Sequence, residues 1–154
     1  MLKGFIKEII EEMQPIAQKT NNTLEFIQQR DIRVYADRIQ LKRVIKNLIQ
    51  NAISYGEPNF PIEVSIGEIP QYIVIKVKDY GAGISKTDID KIFNKYYSAA
   101  KKFRKIGTGL GLYLALQIIK SHNGELSVES EEGNFTEFTI KLPAVMNINL
   151  HYGE

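Results

Sequence analysis

Two asparagines, Asn47 and Asn51, lie one helical turn apart in the stretch LKRVIKNLIQNAISYG. Asparagine is a poor residue for a helix interior because its side chain competes for backbone hydrogen bonds, so a pair at this spacing calls for a reason. Residues at i and i+4 point the same way, and carboxamide oxygens are hard neutral ligands suited to a magnesium ion that keeps waters and phosphates. The alternative is a pair of solvated or locally bonded amides.

Asp79 ends the alternating segment IVIKVKD, in which it has the same parity as the apolar residues at 73, 75 and 77. The pattern therefore predicts its carboxylate on the covered face of a sheet, where a charge needs a partner. Two interpretations remain open. Asp79 could cap the turn at Tyr80 and Gly81, or it could accept a hydrogen bond from a ligand amine in a pocket between sheet and helices.

The glycine-rich segment GTGLGL, residues 107–112, runs directly into an apolar helical pattern. Helix N-termini carry unpaired N–H groups and a positive dipole end, and glycines let an anion approach that backbone closely. The segment thus indicates a phosphate site, with a flexible hinge as the alternative. It is neither a P-loop, since no G-K-[ST] is present, nor a dinucleotide fingerprint, since it follows KKFRKI rather than a strand.

The surrounding periodicity predicts the elements that position these residues. Helical spacing covers residues 2–19, with a bend or end near Pro15, and residues 38–55, and a third helix follows GTGLGL. Alternation predicts strands at TLEFIQQR, at RVYA, and around residues 62–66, 73–77, 126–128 and 138–142. A long polar loop between Asp79 and Gly107 holds one short predicted helix, Thr87 to Tyr96.

Alternating strands have one covered and one wet face, which favours a mixed or antiparallel sheet over a doubly wound parallel one. The element order predicts an α+β fold, a two-layer α/β sandwich with a mixed sheet packed on helices. We expect one domain over residues 1–143 and a C-terminal tail over 144–154.

Composition excludes several classes of protein. The chain has 154 residues and no cysteine, which removes thiol chemistry and Cys-type zinc sites. The formal charge of +2 gives no basic field that would imply nucleic acid. The N-terminus is studded with Lys and Glu, so it reads as neither a signal peptide nor a membrane span.

Taken together, these segments resemble the catalytic ATP-binding domain of bacterial sensor histidine kinases, within the gyrase, heat-shock chaperone, histidine kinase and mismatch-repair ATPase superfamily. LKRVIKNLIQNAISYG is similar to its N box, DYGAGIS to its first glycine box, IFNKYYSA to its phenylalanine box, and GTGLGLYLALQIIKSHNGEL to its second glycine box. The resemblance implies a Bergerat-type fold with ATP between sheet and helices beneath a mobile lid.

The resemblance also implies roles for matching positions. Asn51 is similar to the magnesium-binding Asn, with Asn47 and Tyr55 beside metal and nucleotide, and Asp79 matches the residue that reads the adenine amino group. Asn47 and Asn51 are the candidate catalytic residues. The other positions implied to contact ATP are Gly81, Gly83 and Ile84; Tyr96, Lys101 and Lys102; and Gly107, Thr108, Gly109, Leu110, Gly111 and Leu112.

The chain departs from the family pattern at three positions. Ser54 stands where many kinases carry Lys and Ser98 where they carry Arg, and both basic groups help to hold phosphate charge. Lys101, Lys102 or Arg104 are candidates to replace them. Tyr96 stands where a second Phe is usual.

Three functions follow as hypotheses. The first is Mg-ATP binding and phosphoryl transfer to a histidine on a dimerisation domain, with a response regulator downstream and a cytoplasmic location. Neither His122 nor His151 lies in a sequence typical of an acceptor, so we expect the acceptor elsewhere and this fragment to be monomeric. The alternatives are a nucleotide-sensing module without chemistry and a slow ATPase, the latter disfavoured because Asn47 stands where such ATPases generally place Glu.

Overall fold

The computed structural model describes residues 1–28, 31–95 and 110–144, with the side chain of residue 28 left out. The helices are α1 (Leu2–Gln18), α2 (Arg38–Tyr55) and α3 (Gly111–Ser121). The strands are β1 (Thr23–Gln28), β2 (Pro61–Ile69), β3 (Tyr72–Asp79), β4 (Glu125–Glu131) and β5 (Phe135–Pro143).

The five strands form one mixed sheet in the order β1-β2-β3-β5-β4. β1 is parallel to β2, and the other three pairs are antiparallel. The β2–β3 pair is a hairpin joined at residues 70 and 71, with Gln71 in the left-handed region at φ 71°. The predicted mixed sheet is therefore confirmed.

The described helices cover one face of this sheet, because α1 packs on β1, α2 on β2 and β3, and α3 on β4. Strand residues of one parity are buried under the helices, which is the expected outcome of period-two alternation. The inward residues that form the core are Ile62, Val64, Ile66, Ile73, Ile75, Val77, Leu126, Phe138, Ile140 and Leu142. The two-layer α+β sandwich predicted from the sequence is confirmed.

Helix α1 continues through Pro15 to Gln18, so the proline neither ends it nor stops its apolar face from packing. Charged pairs then join α1 to α2. Lys42 Nζ lies 2.6 Å from a Glu12 carboxylate oxygen, and this hydrogen bond lowers the pKa of Glu12. Within the described ranges, no helix has the length and apolar character needed to cross a membrane.

Two predicted elements are wrong. The segment RVYA is not a strand. Just before it, the Ile32 carbonyl accepts the backbone N–H of Leu2 at 2.8 Å, so this stretch contacts the start of α1 and does not join the sheet. The predicted helix from Thr87 is a series of turns over its described part, to residue 95. Its hydrogen bonds include turn-type bonds between residues three apart. For example, the N–H of Lys91 donates to the Asp88 carbonyl oxygen at 2.8 Å.

Candidate functional site: the end of the sheet and two helices

Asp79 ends β3 with its side chain on the covered face, as its parity predicted, and is only 5% exposed. Burial raises the pKa of this carboxyl to about 7. Within the part of the chain that the structure describes, the carboxylate has no hydrogen-bond or ion-pair partner. A buried carboxylate without a partner is costly, so of the two interpretations left open, the ligand-binding one fits better than a turn cap.

The backbone that follows Asp79 is tied to the end of α2. The Tyr80 carbonyl accepts the N–H of Glu57 at 2.7 Å, and Gly56 and Gly81 form an isolated antiparallel bridge. A Cβ added at Gly81 would lie 2.7 Å from Gly56 Cα and 2.5 Å from the Tyr55 carbonyl oxygen. Glycine is therefore required at position 81 by the close approach of two chain segments.

Gly83 and Ile84 are held by the hairpin between β4 and β5. Gly83 has φ +69°, and a Cβ there would lie 2.8 Å from Glu132 Cα. The N–H of Ile84 donates to Ser130 Oγ at 2.8 Å, and the N–H of Gly133 donates to the Ala82 carbonyl at 2.6 Å. The first glycine-rich loop is thus fixed from both sides by backbone contacts.

Three further residues support this end of the site and were not predicted from the sequence: Ser130, Thr136 and Asn22. Thr136 lies directly opposite Asp79 in the β3–β5 register and is buried, and its hydroxyl pairs with Ser130 Oγ at 2.9 Å. Asn22 is 2% exposed and donates to the carbonyls of Glu57 and Phe60 at 2.9 and 2.8 Å. The parity of Thr136 with Phe138 was an available signal for its burial, whereas no sequence pattern marks Asn22.

The second end of the site is formed by α2. Asp37 caps this helix by accepting the N–H of Gln40 at 3.0 Å, and the asparagine pair follows on its half-buried side. Asn47 Nδ2 donates to the Gly111 carbonyl at 3.4 Å, which directs the amide oxygen away from α3. Asn47 and Asn51 share a face, as predicted, while Tyr55 lies at the end of the helix beside Gly56.

Helix α3 begins at this same place. Its N-cap, Leu110, has no polar side chain to accept the first N–H groups, and the first turn contains no acidic residue. Gly111 lies in ordinary contact with the Asn47 amide, since a Cβ there would be 3.9 Å from Asn47 Cγ. Leu112 packs against the core and so orients the first turn. A helix start without an acidic cap suits an anion.

The described part of the phenylalanine box is anchored to the sheet and brings a cation to α3. Ile92 is buried, and the Phe93 ring packs edge-on against Phe138 with 6.1 Å between centroids. Lys95 Nζ lies 5.7 Å from the centroid of the Tyr113 ring in the first turn of α3. Lys95 was not among the residues predicted from the sequence.

Other predicted site residues lie outside the described residues: Tyr96, Lys101, Lys102, Gly107, Thr108 and Gly109, together with Ser98 and Arg104. Of the described ones, Asp79, Gly81, Gly83 and Ile84 form one end of the site. Asn47, Leu110, Gly111 and Leu112 form the other end, with Asn51 one turn further along α2.

The donor set fits a magnesium ion bound together with phosphates. Over the described ranges, no group of three or more His, Asp and Glu residues could hold a metal on its own. Asn47 and Asn51 supply neutral amide oxygens, and such ligands suit Mg²⁺ when a nucleotide provides the negative charge. Magnesium in this position would neutralise phosphate charge.

The chain belongs to the family of histidine kinase-, DNA gyrase B- and HSP90-like ATPases, whose profile matches residues 36–146. The matched region contains both ends of the site. Family membership implies ATP binding and agrees with the arrangement of sheet, helices and glycine-rich segments described above.

Its relatives are sensor histidine kinases. The chain is 34% identical over 145 residues to sensor histidine kinase WalK of Bacillus subtilis, covering 90% of this chain and 23% of WalK. It is 38% identical over 109 residues to sensor protein SrrB of Staphylococcus aureus, covering 70% of this chain and 19% of SrrB. The chain therefore spans about a quarter or less of the length of these relatives.

A solved structure of the catalytic domain of histidine kinase ThkA has the same fold. It superposes with a TM-score of 0.81 at 29% identity and covers 93% of this chain and 94% of that one. That structure is itself a catalytic domain, and the match extends over nearly the whole of both chains.

Proposed function

We propose that this chain binds Mg-ATP and transfers the γ-phosphoryl group to a histidine on a dimerisation domain of the same or a partner kinase. Residues 1–143 form the catalytic domain in this proposal, and residues 144–154 form a tail. A response regulator would receive the phosphoryl group in turn. The fragment acts as a monomer in the cytoplasm and does not bind nucleic acid.

The observation that carries the proposal is the buried carboxylate of Asp79. A carboxylate in that position gains a partner when the amino group of an adenine donates to it, which offsets the cost of its burial. The neighbouring loop is fixed by the bonds to Glu57, Ser130 and Gly133, so its backbone is already held in place without a ligand. Such preorganisation raises affinity by reducing the entropy lost on binding.

The second end of the site supports a phosphate tail. The uncapped start of α3 faces the asparagine pair of α2, and Lys95 lies beside the same turn. Backbone N–H groups, amide oxygens for magnesium and a lysine together match the negative charge of a triphosphate. Transfer to a neutral imidazole then needs mainly positioning and charge stabilisation.

A nucleotide-sensing module that performs no transfer is the second candidate, and Ser54 favours it. Ser54 Oγ accepts a hydrogen bond from Gln50 Nε2 at 3.4 Å within α2, so this position supplies no cation. The slow ATPase is less favoured because Asn47, one turn before Asn51, is not an acid that could activate water.

A phosphotransfer assay tests the proposal. The chain is incubated with γ-labelled ATP and magnesium, with and without a dimerisation domain from a sensor histidine kinase of this family. We expect an acid-labile, alkali-stable label on the acceptor histidine. The matched controls are the acceptor with its histidine replaced by alanine, and Asp79→Asn in this chain.

Each alternative predicts a different result. ATP binding without label on any acceptor tested would favour the sensing module. Steady phosphate release without an acceptor would favour the ATPase. Absence of any adenine-nucleotide binding would contradict all three.

A further inference from the structure

The ring of His122 makes three hydrogen-bond contacts, one through Nε2 and two through Nδ1, of which the contact with Ser121 Oγ is the longest at 3.4 Å. Nε2 accepts the backbone N–H of Asp37 at 3.0 Å, and Nδ1 lies 2.9 Å from the Ile118 carbonyl oxygen. A carbonyl can only accept, so Nδ1 carries the proton and the ring is neutral. The two partners fix both the tautomer and the orientation of the imidazole.

These bonds join the ends of two helices. The carbonyl of Ile118 is among the last four of α3, and it accepts from both Ser121 Oγ at 2.6 Å and His122 Nδ1 at 2.9 Å. Asp37 is the N-cap of α2 and also accepts the N–H of Gln40. The imidazole therefore links the C-terminus of α3 directly to the N-terminus of α2.

The link lies at the opposite end of the helix pair from the phosphate side of the site. Asp37 and His122 meet at one end, and Asn47 and Gly111 meet at the other, so α2 and α3 run antiparallel. About ten residues separate the two contacts on each helix, which is about 15 Å at 1.5 Å per residue. Because the two spans match, the His122 bond and the Asn47–Gly111 bond are satisfied together in one axial register of α3 on α2.

Register matters here because each helix contributes to the same ligand site. Asn47 and Asn51 project from α2, whereas α3 contributes the N–H groups of its first turn. The Asn47–Gly111 hydrogen bond is long, at 3.4 Å, and exposed, so it restrains this end only weakly. The bond from the Asp37 N–H to His122 Nε2 is also exposed but is shorter, at 3.0 Å, and is the better formed of these two polar contacts between α2 and α3.

We propose that His122 is a positioning residue for nucleotide binding: it holds the first turn of α3 level with the asparagines of α2, so that both reach the phosphates and the magnesium ion. This role rests on the proposed function. The adenine end does not depend on it, because Asp79 and its loop are fixed by the sheet and the β4–β5 hairpin.

Two substitutions separate the bond of the ring to Ile118 from its bond to Asp37. In His122→Asn, the short amide can still donate to the Ile118 carbonyl but cannot reach Asp37. In His122→Gln, the longer amide can place an acceptor where Nε2 lies and so retain the bond to α2. Affinity for Mg-ATP and for adenosine is measured on the 154-residue chain by calorimetry, together with the thermal unfolding temperature of each variant.

We expect His122→Asn to weaken Mg-ATP binding about fivefold, the effect of losing one hydrogen bond, and to leave adenosine affinity within about twofold of wild type. His122→Gln should restore Mg-ATP binding to within about twofold. Unchanged Mg-ATP affinity in His122→Asn, or an equal loss for both ligands, would overturn the inference while leaving the proposed function intact. A wild-type chain that binds neither ligand would overturn both.

Discussion

The adenine end and the phosphate end of the proposed site are built in different ways. At the adenine end, the loop after β3 is fixed by backbone contacts to α2 and to the β4–β5 hairpin, at Gly81, Gly83 and Gly133. At the phosphate end, the first turn of α3 contacts α2 through the long amide bond from Asn47 to Gly111, while the His122 bond lies at the far end of the same helix pair. Binding and stability should therefore be coupled at the adenine end and largely independent at the phosphate end.

This difference suits a ligand that is recognised at one end and transferred at the other. A rigid pocket reduces the cost of ordering when adenine binds. At the phosphate end, a triphosphate would add interactions with the N–H groups at the start of α3, where no side-chain cap is present in the described residues. Substitutions at one end of the site therefore test whether the other end is affected.

The largest effect is expected for Asp79→Asn, which should remove adenine binding and stabilise the ligand-free protein. Burial raises the pKa of Asp79 from its ordinary value of 3.8 to about 7. Between these values the folded protein retains a proton that the unfolded chain has released, so stability falls as pH rises from about 4 to about 7. Above pH 7 the folded protein bears the full cost, about 4 kcal/mol at about 1.4 kcal/mol per pKa unit.

Denaturant unfolding of the wild type and Asp79→Asn at about pH 4 and about pH 8 measures this cost. The variant should gain stability at the higher pH and little at the lower. Adenosine and ATP affinities, measured in parallel, should both fall below detection. Equal stability of the two proteins at both pH values would show that the carboxylate has a partner, and unchanged affinity would contradict its role in binding adenine.

The next largest effect is expected for Gly83→Ala. A side chain at φ +69° is strained, and its Cβ would also meet the backbone of Glu131 and Glu132. We expect a loss of roughly 3 kcal/mol in unfolding free energy, accompanied by weaker adenosine binding. The matched control is Gly133→Ala, where φ is +81° but nothing lies within 4 Å of the added Cβ.

The control substitution should lower the unfolding free energy by roughly 1 kcal/mol, from backbone strain alone. The difference between the two variants then measures the close approach of the loop to the hairpin. If Gly83→Ala and Gly133→Ala were equally stable, the adenine end would be less rigidly fixed than its geometry indicates.

A smaller effect is expected from pH on adenosine affinity. In the proposed site, the ionised carboxylate of Asp79 is a stronger acceptor for the adenine amino group than its protonated form. With a pKa of about 7, about a tenth of the protein is ionised at about pH 6 and most of it at about pH 8. Adenosine affinity should thus rise up to tenfold over this range, and binding should release a proton.

Adenosine is the suitable probe because it has no phosphate that titrates in this range. Calorimetry in buffers of different ionisation enthalpy measures the proton release directly. Affinity that stays constant, or that falls with rising pH, would mean that Asp79 is already ionised in the free protein or binds in its protonated form.

Local sequence patterns predicted most of the helices and strands that position the site. Period-two alternation was enough to place Asp79 on the covered face, because a buried parity set includes every residue in phase with it. The apolar stripe of residues 38–55 was enough for α2, and the asparagines at its edge followed from helix geometry. The segment RVYA misled because four residues carry little periodic signal, and the residue before it, Ile32, bonds to the start of α1 and not to a strand.

The residues that fix the site relative to its surroundings could not be predicted in the same way. Ser130 contacts Ile84, Asn22 contacts Glu57, and His122 contacts Asp37, and each pair lies at least 35 residues apart in sequence. Such contacts depend on how the elements pack, which periodicity within one element does not encode. Lys95 was missed for the same reason, since its position beside Tyr113 depends on where α3 packs.

The smallest effect on stability is expected for Asn47→Ala at the phosphate end. The bond to Gly111 is long and exposed, and alanine is a better helix former than asparagine, so the unfolding free energy should change by less than about 0.5 kcal/mol. Mg-ATP affinity should nevertheless fall about fivefold, because an amide oxygen beside the metal and its waters is lost. Adenosine affinity, which depends on the other end, should not change.

Titrations with ATP in the presence and absence of magnesium make the measurement, with Gln50→Ala on the exposed side of α2 as the matched control. An equal loss with and without magnesium would place Asn47 away from the metal, and a parallel loss of adenosine affinity would show that the two ends are coupled after all.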